Sequence, residues 1–472
     1  MNHNRESDRR HLPDGTSLLE RMRRGETTAE TVVREHLVRL RDRQVQLGGA
    51  VAIRESEAMA QAAAPAPGPL SGLPVSVKET IGLAGERITA GSARMPPVEC
   101  REDSTVVQRL KDAGAVIVAR SNVPELAITP ETDNVPFGRT NNPLNVQRTC
   151  GGSSGGEGAI VAAGGSAIGI GSDILGSIRI PASFCGVVGF KPSSASIARD
   201  GTWPEPAGYL GSWLAIGPLA RSVRDCRLAY NVLATRKLPA PASVSGRRLV
   251  IPQQFPFHVR EPCISDALVR AELILRDAGM EMRREHFGDI RRHFLDIPTL
   301  MAAELYGPMR ECLRNSDGKG LSLLTESVRQ LLGRPRIYPG LFRTLALIQP
   351  FRLRTGNAAI AATQRYEQGR ALARRILSDD GVALLPATTM LAPRHGAMNR
   401  LAMRPGFNPL MTPTVFPNAM DLPAVSVPAW RHRDAATGLV PGIMLVAAPG
   451  NEGGLLDAAA VLEAGIARRQ DY

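Results

Sequence analysis

The apolar positions of this 472-residue chain change period along its length. Val33, Leu37 and Leu40 recur at helical spacing behind Thr27-Thr28-Ala29-Glu30, a capping-box sequence, and predict an amphipathic helix over about 28–43. The stretch AQAAAPAPGPLSG (60–72) then interrupts the pattern. It reads as a joint between an N-terminal helical arm, residues 1–60, and a main body, residues 61–472. Within the body a unit recurs in which a helix-period segment ends at glycine and a run of branched residues follows. It appears in DSTVVQRLKDAGAVIVA (103–119) and again in DALVRAELILRDAGMEM (266–282). Helix, glycine cap and strand in succession predict an α/β protein. The short apolar runs RRLVIP (247–252), GVALLPA (381–387), PAVSVPA (423–429) and GIMLVAA (442–448) read as further buried strands of one continuous sheet. Residues 285–375 follow another rhythm, helical with arginines between apolar positions, as in SLLTESVRQLLGRPRIYPGLFRTLALIQPFRLR (322–354). They predict a helical cap, with two functional extensions: a lid over an apolar pocket, or a patch that lies on a membrane surface.

Between 151 and 181 the periodicity gives way to small residues, GGSSGGEGAIVAAGGSAIGIGSDILGSIRIP. Gly/Ser-rich runs are ordinarily linkers. Ile160, Val161, Ile168, Ile170, Ile174 and Ile178 argue against that here, because a solvated linker has no use for branched apolar side chains. The stretch reads instead as crowded, close-packed backbone.

Composition narrows the partners. An apolar share of 43% supports a large core. The net charge of +12 raises nucleic acid as a partner, but the basic residues are scattered singly, only five are lysines, and no aromatic residues interleave with them. Nucleic-acid binding is therefore not expected. Cys100, Cys150, Cys185, Cys226, Cys263 and Cys312 are far apart and form no CxxC pair, so neither a zinc site nor a disulfide framework is expected. No window of about 18 apolar residues is free of charge, and MNHNRESDRRHLPDG has no apolar signal core. A cytoplasmic location without a transmembrane segment is the expectation.

Serine hydrolases often pair serine with histidine, yet no histidine occurs between His36 and His258, the interval that contains the whole Gly/Ser-rich stretch. Lysine is the other side chain that can take a serine proton, provided desolvation lowers its pKa. Lys78 lies in GLPVSVKETIG, an apolar strand-like run that enters a glycine turn. Arginine stays charged and could not serve, so a lysine in an arginine-dominated chain suggests a requirement for a titratable amine. A lysine snorkelling from a strand end gives the same pattern, and the residue alone leaves that choice open.

LPVSVKETIGLAG, GGSSGGEGA, GSDILGSIRIPASFCGVVGFKP and GPLARSVRD, in this order, resemble the successive blocks of the amidase signature family. AGAVIVARSNVPELA, FGRTNNPLN, LLPATTMLAP and LPAVSVPA extend the resemblance over about residues 60–450. It implies an α/β amidase signature fold, a mixed central sheet sandwiched by helices, and a hydrolase that cleaves a carboxamide without metal or organic cofactor. In this reading Ser177 is the nucleophile, Ser153 a relay held by a cis peptide bond, and Lys78 the base. The resemblance also implies an oxyanion hole from the N–H groups of Ile174, Leu175, Gly176 and Ser177. Asp173, Arg179 and Ser154 would hold the loop, and Arg221 would be structural. The partner is a small-molecule amide. Homodimers are common among such proteins, and peripheral membrane contact is left open.

The sequence departs from the family at Ile174-Leu175-Gly176-Ser177, where two glycines usually precede the serine. If position 175 needs a left-handed φ, leucine there is strained by roughly 1–2 kcal/mol and its side chain crowds the acyl pocket. Glu79 stands where aspartate is commoner, and Cys150 reads as a packed small residue. GGSSGGEGA and DGTWPEPAGYLGSW resemble the fatty-acid amide hydrolase side of the family, which suggests a fatty-acyl or aryl amide. Two rivals stand beside this: a glutamine amidotransferase component that serves charged tRNA, and a catalytically weak homologue that binds amides because of Leu175.

Overall fold

Side-chain alternation along the strands sorts the core into two layers. In the strand Gly442–Ala447, Ile443, Leu445 and Ala447 enter one apolar core while Met444 and Val446 enter the other. Val382–Pro386 divides the same way, Val382 and Leu384 to one side, Ala383 and Leu385 to the other. Strands covered on both faces need apolar residues at every position, which is why they read as continuous apolar runs. The computed structural model describes residues 12–205, 207–288, 290–314, 318, 320–378, 380–401 and 412–467. The first eleven residues of the expected arm lie outside these.

The strands in chain order are β1 (Ala50–Ile53), β2 (Pro74–Lys78), β3 (Arg87–Ile88), β4 (Val98–Glu99), β5 (Val116–Ser121), β6 (Ile168–Asp173) and β7 (Val188–Lys191). They continue as β8 (Ala215–Ala220), β9 (Arg248–Pro252), β10 (Glu281–Glu285), β11 (Val382–Pro386), β12 (Ala424–Pro428) and β13 (Gly442–Ala447). Eleven of them form one mixed sheet in the order β1-β5-β2-β6-β8-β7-β12-β13-β11-β9-β10, and β3 and β4 make a separate hairpin. Near the site the order matters: β2 runs parallel to both β5 and β6, so the carboxyl ends of β2 and β6 open on the same edge.

One detail differs from the sequence expectation. The arm is not wholly helical, because β1 pairs antiparallel with β5 and edges the sheet, with Ala50 opposite Ser121. The 60–72 joint is itself packed on the body: Leu70 is buried, and the Leu70 and Gly72 N–H groups donate to Ala113 O and Gly114 O, each at 2.9 Å. The first predicted helix spans Ala29–Leu47, capped by Thr28, whose hydroxyl accepts the Thr31 N–H. It runs past the expected end because Gln44 exchanges two hydrogen bonds with the backbone of Ala50.

The small-residue stretch folds as a helix (Gly155–Ala162), β6 and a second helix (Arg179–Cys185). Close approach explains the composition. A Cβ at Gly169 would sit 2.3 Å from Glu157 Oε2, and one at Gly171 2.7 Å from Ser154 Oγ. The helix can lie on β6 only because those strand positions lack side chains. Ile160, Val161, Ile168, Ile170 and Ile178 are buried, as the pattern requires.

Residues 290–377 supply the helices Ile290–Glu304, Tyr306–Cys312, Leu323–Leu331, Pro339–Ile348 and Thr355–Leu377. Their apolar faces pack on the body. Tyr306, Met309, Leu341 and Leu345 share a core with Ile88, Met95 and Leu126.

Candidate active site

Lys78 is the last residue of β2, a strand buried at every position, and its side chain is fully buried. Period-two geometry places Val75 and Val77 in the apolar core and sends Ser76 and Lys78 to the opposite face. There the Lys78 Nζ donates to Ser153 Oγ at 2.7 Å and to Ser172 Oγ at 2.9 Å. Burial draws the ammonium down to about 7, against the opposing pull of Asp173, Glu157 and Glu79. The amine is thus poised between charged and neutral forms near neutral pH.

Ser153 and Ser154 form the turn before the Gly155–Ala162 helix, and the Gly152–Ser153 peptide bond is cis. Ser154 ties the turn to the neighbouring loop. Its N–H donates to the Ser177 carbonyl at 3.1 Å, and its hydroxyl bonds the Ser172 carbonyl and N–H.

The loop after β6 is organised by Asp173, Arg179 and Asn418. Arg179 and Asp173 are both fully buried and form a two-pronged pair, Nε to Oδ2 and Nη2 to Oδ1, each at 3.1 Å. Burial alone would raise the Asp173 carboxyl, but the Arg179 guanidinium overrides it and holds the group at about 2. Asp173 further accepts the Gly176 N–H at 2.7 Å and the Ile178 N–H at 3.0 Å. Asn418, on the helix Thr412–Ala419, donates to Asp173 Oδ1 at 2.9 Å and accepts from Arg179 at 2.5 Å.

This bonding revises the expected set of oxyanion donors. Gly176 gives its N–H to Asp173, whereas the N–H groups of Ile174, Leu175 and Ser177 have no hydrogen-bond partner among the described residues. Leu175 is also unstrained, because the left-handed φ of the turn falls at Gly176, at +108°. A Cβ at Gly176 would meet Thr414 Cγ2 at 2.2 Å, so glycine is required there on two counts.

Ser153, Ser172, Ile174, Leu175 and Ser177 all line one cavity of about 120 Å³. Its remaining wall is mainly apolar: Leu126, Ile128, Trp203 and Leu214 from the body, and Met301, Leu305 and Met309 from the helical segment. No histidine lines it among the described residues. Of the other residues singled out in the sequence, Glu79 holds the backbone at Thr89 and Ala90, and Arg221 bonds the carbonyls of Val161, Ser166 and Pro13. Cys150 is buried, and burial pushes its thiol up to about 12. Sequence reasoning missed Ser172, Asn418 and the helical residues of the cavity wall. Ser172 stands inside a quoted block beside Asp173; the others come from distant segments and left no local signal.

The fold defines the class first. A solved amidase structure is similar with a TM-score of 0.78 at 26% identity, covering 96% of this chain and 99% of the other. The chain belongs to the Amidase family, whose model matches residues 31–456, and is a hydrolase of amide C–N bonds. Among curated relatives, a glutamyl-tRNA(Gln) amidotransferase component of Thermus thermophilus is 31% identical over 95% of this chain and 96% of its own. Fatty-acid amide hydrolase 2-B of Danio rerio is 29% identical over 82% of this chain and 80% of its own. No helix among the described residues is long and apolar enough to cross a membrane.

Proposed function

We propose that Ser177 attacks the amide carbonyl while its proton passes to Ser153 and on to neutral Lys78. The N–H groups of Ile174, Leu175 and Ser177 stabilise the oxyanion, and the returning proton leaves with the amine. Water then hydrolyses the acyl-enzyme by the same relay. The observation that carries this reading is the buried Lys78 Nζ, drawn down to about 7 and 2.7 Å from Ser153 Oγ. Intact-protein mass after incubation with a small fluorophosphonate tests it: one adduct, absent in Ser177→Ala and slowed in Lys78→Ala, is expected. An adduct that survives in Ser177→Ala would place the nucleophile elsewhere.

For the substrate, the cavity favours a carboxamide with a compact apolar acyl group, aryl rather than long-chain. An apolar cavity of roughly 150 Å³ accommodates a benzene ring, which is the scale of this one. Glu205 and Glu304 also line the cavity, but none of its lining residues is a lysine, arginine or histidine that could pair the carboxylate of the zwitterionic glutamine in the amidotransferase reading. The negative φ at Leu175 removes the backbone argument for a catalytically weak binding protein.

We further propose that residues 290–377 act as the lid, since Met301, Leu305 and Met309 supply part of the cavity wall. Peripheral membrane contact through its outer helix is favoured by a specific pattern. Leu324, Val328, Leu331 and Leu332 form an apolar row at 79%, 50%, 87% and 69% exposure, with Arg334 exposed beside it. Glu326 on the same helix is turned inward and accepts the Arg336 and Ile337 N–H groups, so the outer face is apolar and cationic.

A further inference from the structure

Beneath the Lys78 layer lies a second polar layer that the hydrolytic cycle does not use. Ser76 and Lys78 share one face of β2, two residues apart. Ser153 lies just before, and Glu157 within the first turn of, the helix that covers this face. Lys78 thus meets Ser153 in one layer and Ser76 meets Glu157 in the next. Glu157 Oε2 accepts a short hydrogen bond from Ser76 Oγ, and Ser76 Oγ lies 2.9 Å from Ser166 Oγ. Gly169 makes room for that carboxylate on β6. The side chain is fully buried, and its second polar neighbour is the Ser121 hydroxyl. A carboxylate placed there without an arginine in hydrogen-bond contact is costly, which calls for a function to offset it.

We infer that Glu157 is a positioning residue for the base, a buried carboxylate that sets the proton affinity of Lys78 from the layer below. The inference rests on the reading in which Lys78 takes the serine proton. The charged groups facing Lys78 are Asp173 from β6, Glu157 from the covering helix and Glu79 from its own segment. Those facing Glu157 are Lys78 and, from β5, Arg120. Asp173 acts on Lys78 more strongly, but Arg179 holds it ionised throughout, and Glu79 is bonded to the backbone at Thr89 and Ala90. Glu157 is the carboxylate near Lys78 whose own charge changes near neutral pH. Burial raises it to about 7, the same value to which burial lowers the lysine, so both change charge in one pH window. Above that window the Glu157 carboxylate favours the ammonium of Lys78 and makes the amine a stronger base. Removing the charge weakens the base and lets the amine be neutral at lower pH.

The test is the pH profile of kcat/KM for wild type, Glu157→Gln, Ser76→Ala and Lys78→Ala, with each preparation normalised to its fluorophosphonate-reactive fraction. In Glu157→Gln the acid limb should move down by about one pH unit, the low end for neighbouring opposite charges, with a lower plateau. Ser76→Ala removes the hydrogen bond that favours the ionised carboxylate and should move the limb the same way by less; it decides the matter if Glu157→Gln fails to fold. A purely structural role would reduce the reactive fraction and leave the limb in place. An unmoved limb in both variants, with Lys78→Ala inactive, would overturn the role of Glu157 alone. Wild-type activity in Lys78→Ala would instead remove the base reading beneath it.

Discussion

Asp173 accepts the Gly176 N–H at 2.7 Å while gripping Arg179 with both oxygens. One carboxylate thereby fixes the turn that precedes Ser177 and removes one amide from those that could receive an oxyanion. The amides of Ile174, Leu175 and Ser177 are left without a partner among the described residues, in a turn held by a fully buried ion pair.

Breaking that pair should be expensive. Removing one partner of a buried ion pair leaves the other charged and unpaired, at a cost of about 3–5 kcal/mol. Arg179→Ala is expected to lose stability by that amount in urea unfolding and to lose hydrolysis with it, because the Ser177 turn is released. A change below about 1 kcal/mol would show that Asp173 is held well enough by Asn418 and the two backbone N–H groups.

The pH dependence follows from Lys78. Its pKa is lowered to about 7, chiefly by burial, so the neutral amine that accepts a proton dominates above that value. Measured kcat/KM should therefore rise through about pH 7 to a plateau. Lys78→Arg keeps the charge at every accessible pH and should lose roughly 10²–10⁴ in rate with no recovery at pH 9. A profile that falls as pH rises through 7 would contradict a lysine base.

Neighbouring positions 175 and 176 should respond in opposite ways. Gly176→Ala places a methyl group against Thr414 at a left-handed φ and is expected to abolish adduct formation with the fluorophosphonate. Leu175→Gly removes a side chain from the cavity wall without altering a left-handed residue, so it should retain reactivity and accept bulkier acyl groups. Loss of activity in Leu175→Gly would mean that the leucine is needed to shape the loop.

In the proposed reading the cavity sets substrate size. With about 120 Å³ available, aryl and short branched amides should exceed long-chain acyl amides in kcat/KM by about tenfold or more. Equal rates across a chain-length series would show that the helices at 290–312 move aside to admit the longer chains.

The exposed apolar row on the helix Leu323–Leu331 offers a separate measurement. Co-sedimentation with vesicles rich in phosphatidylserine should exceed that with phosphatidylcholine vesicles and fall with added salt. Leu324→Glu with Leu331→Glu should abolish it while leaving hydrolysis of a soluble amide unchanged. Binding that ignores both lipid charge and these leucines would remove the membrane reading.

The sequence by itself determined the α/β class, most of the buried strands and the family to which the blocks belong. Lys78, Ser153 and Ser177 stand in contiguous blocks whose local pattern reports both strand burial and tight turns, and strands β5, β11, β12 and β13 follow from unbroken apolar runs. Such patterns record how each residue relates to its near neighbours and to water. They do not record which distant surfaces meet. Asn418 reaches Asp173 from 245 residues away, Met301 and Met309 close the cavity from a helical segment, and β1 joins the sheet from a segment read as helical. The Gly176 amide went to Asp173 for the same reason: a hydrogen-bond donor takes the acceptor that packing brings within reach, and only the tertiary structure decides which one that is.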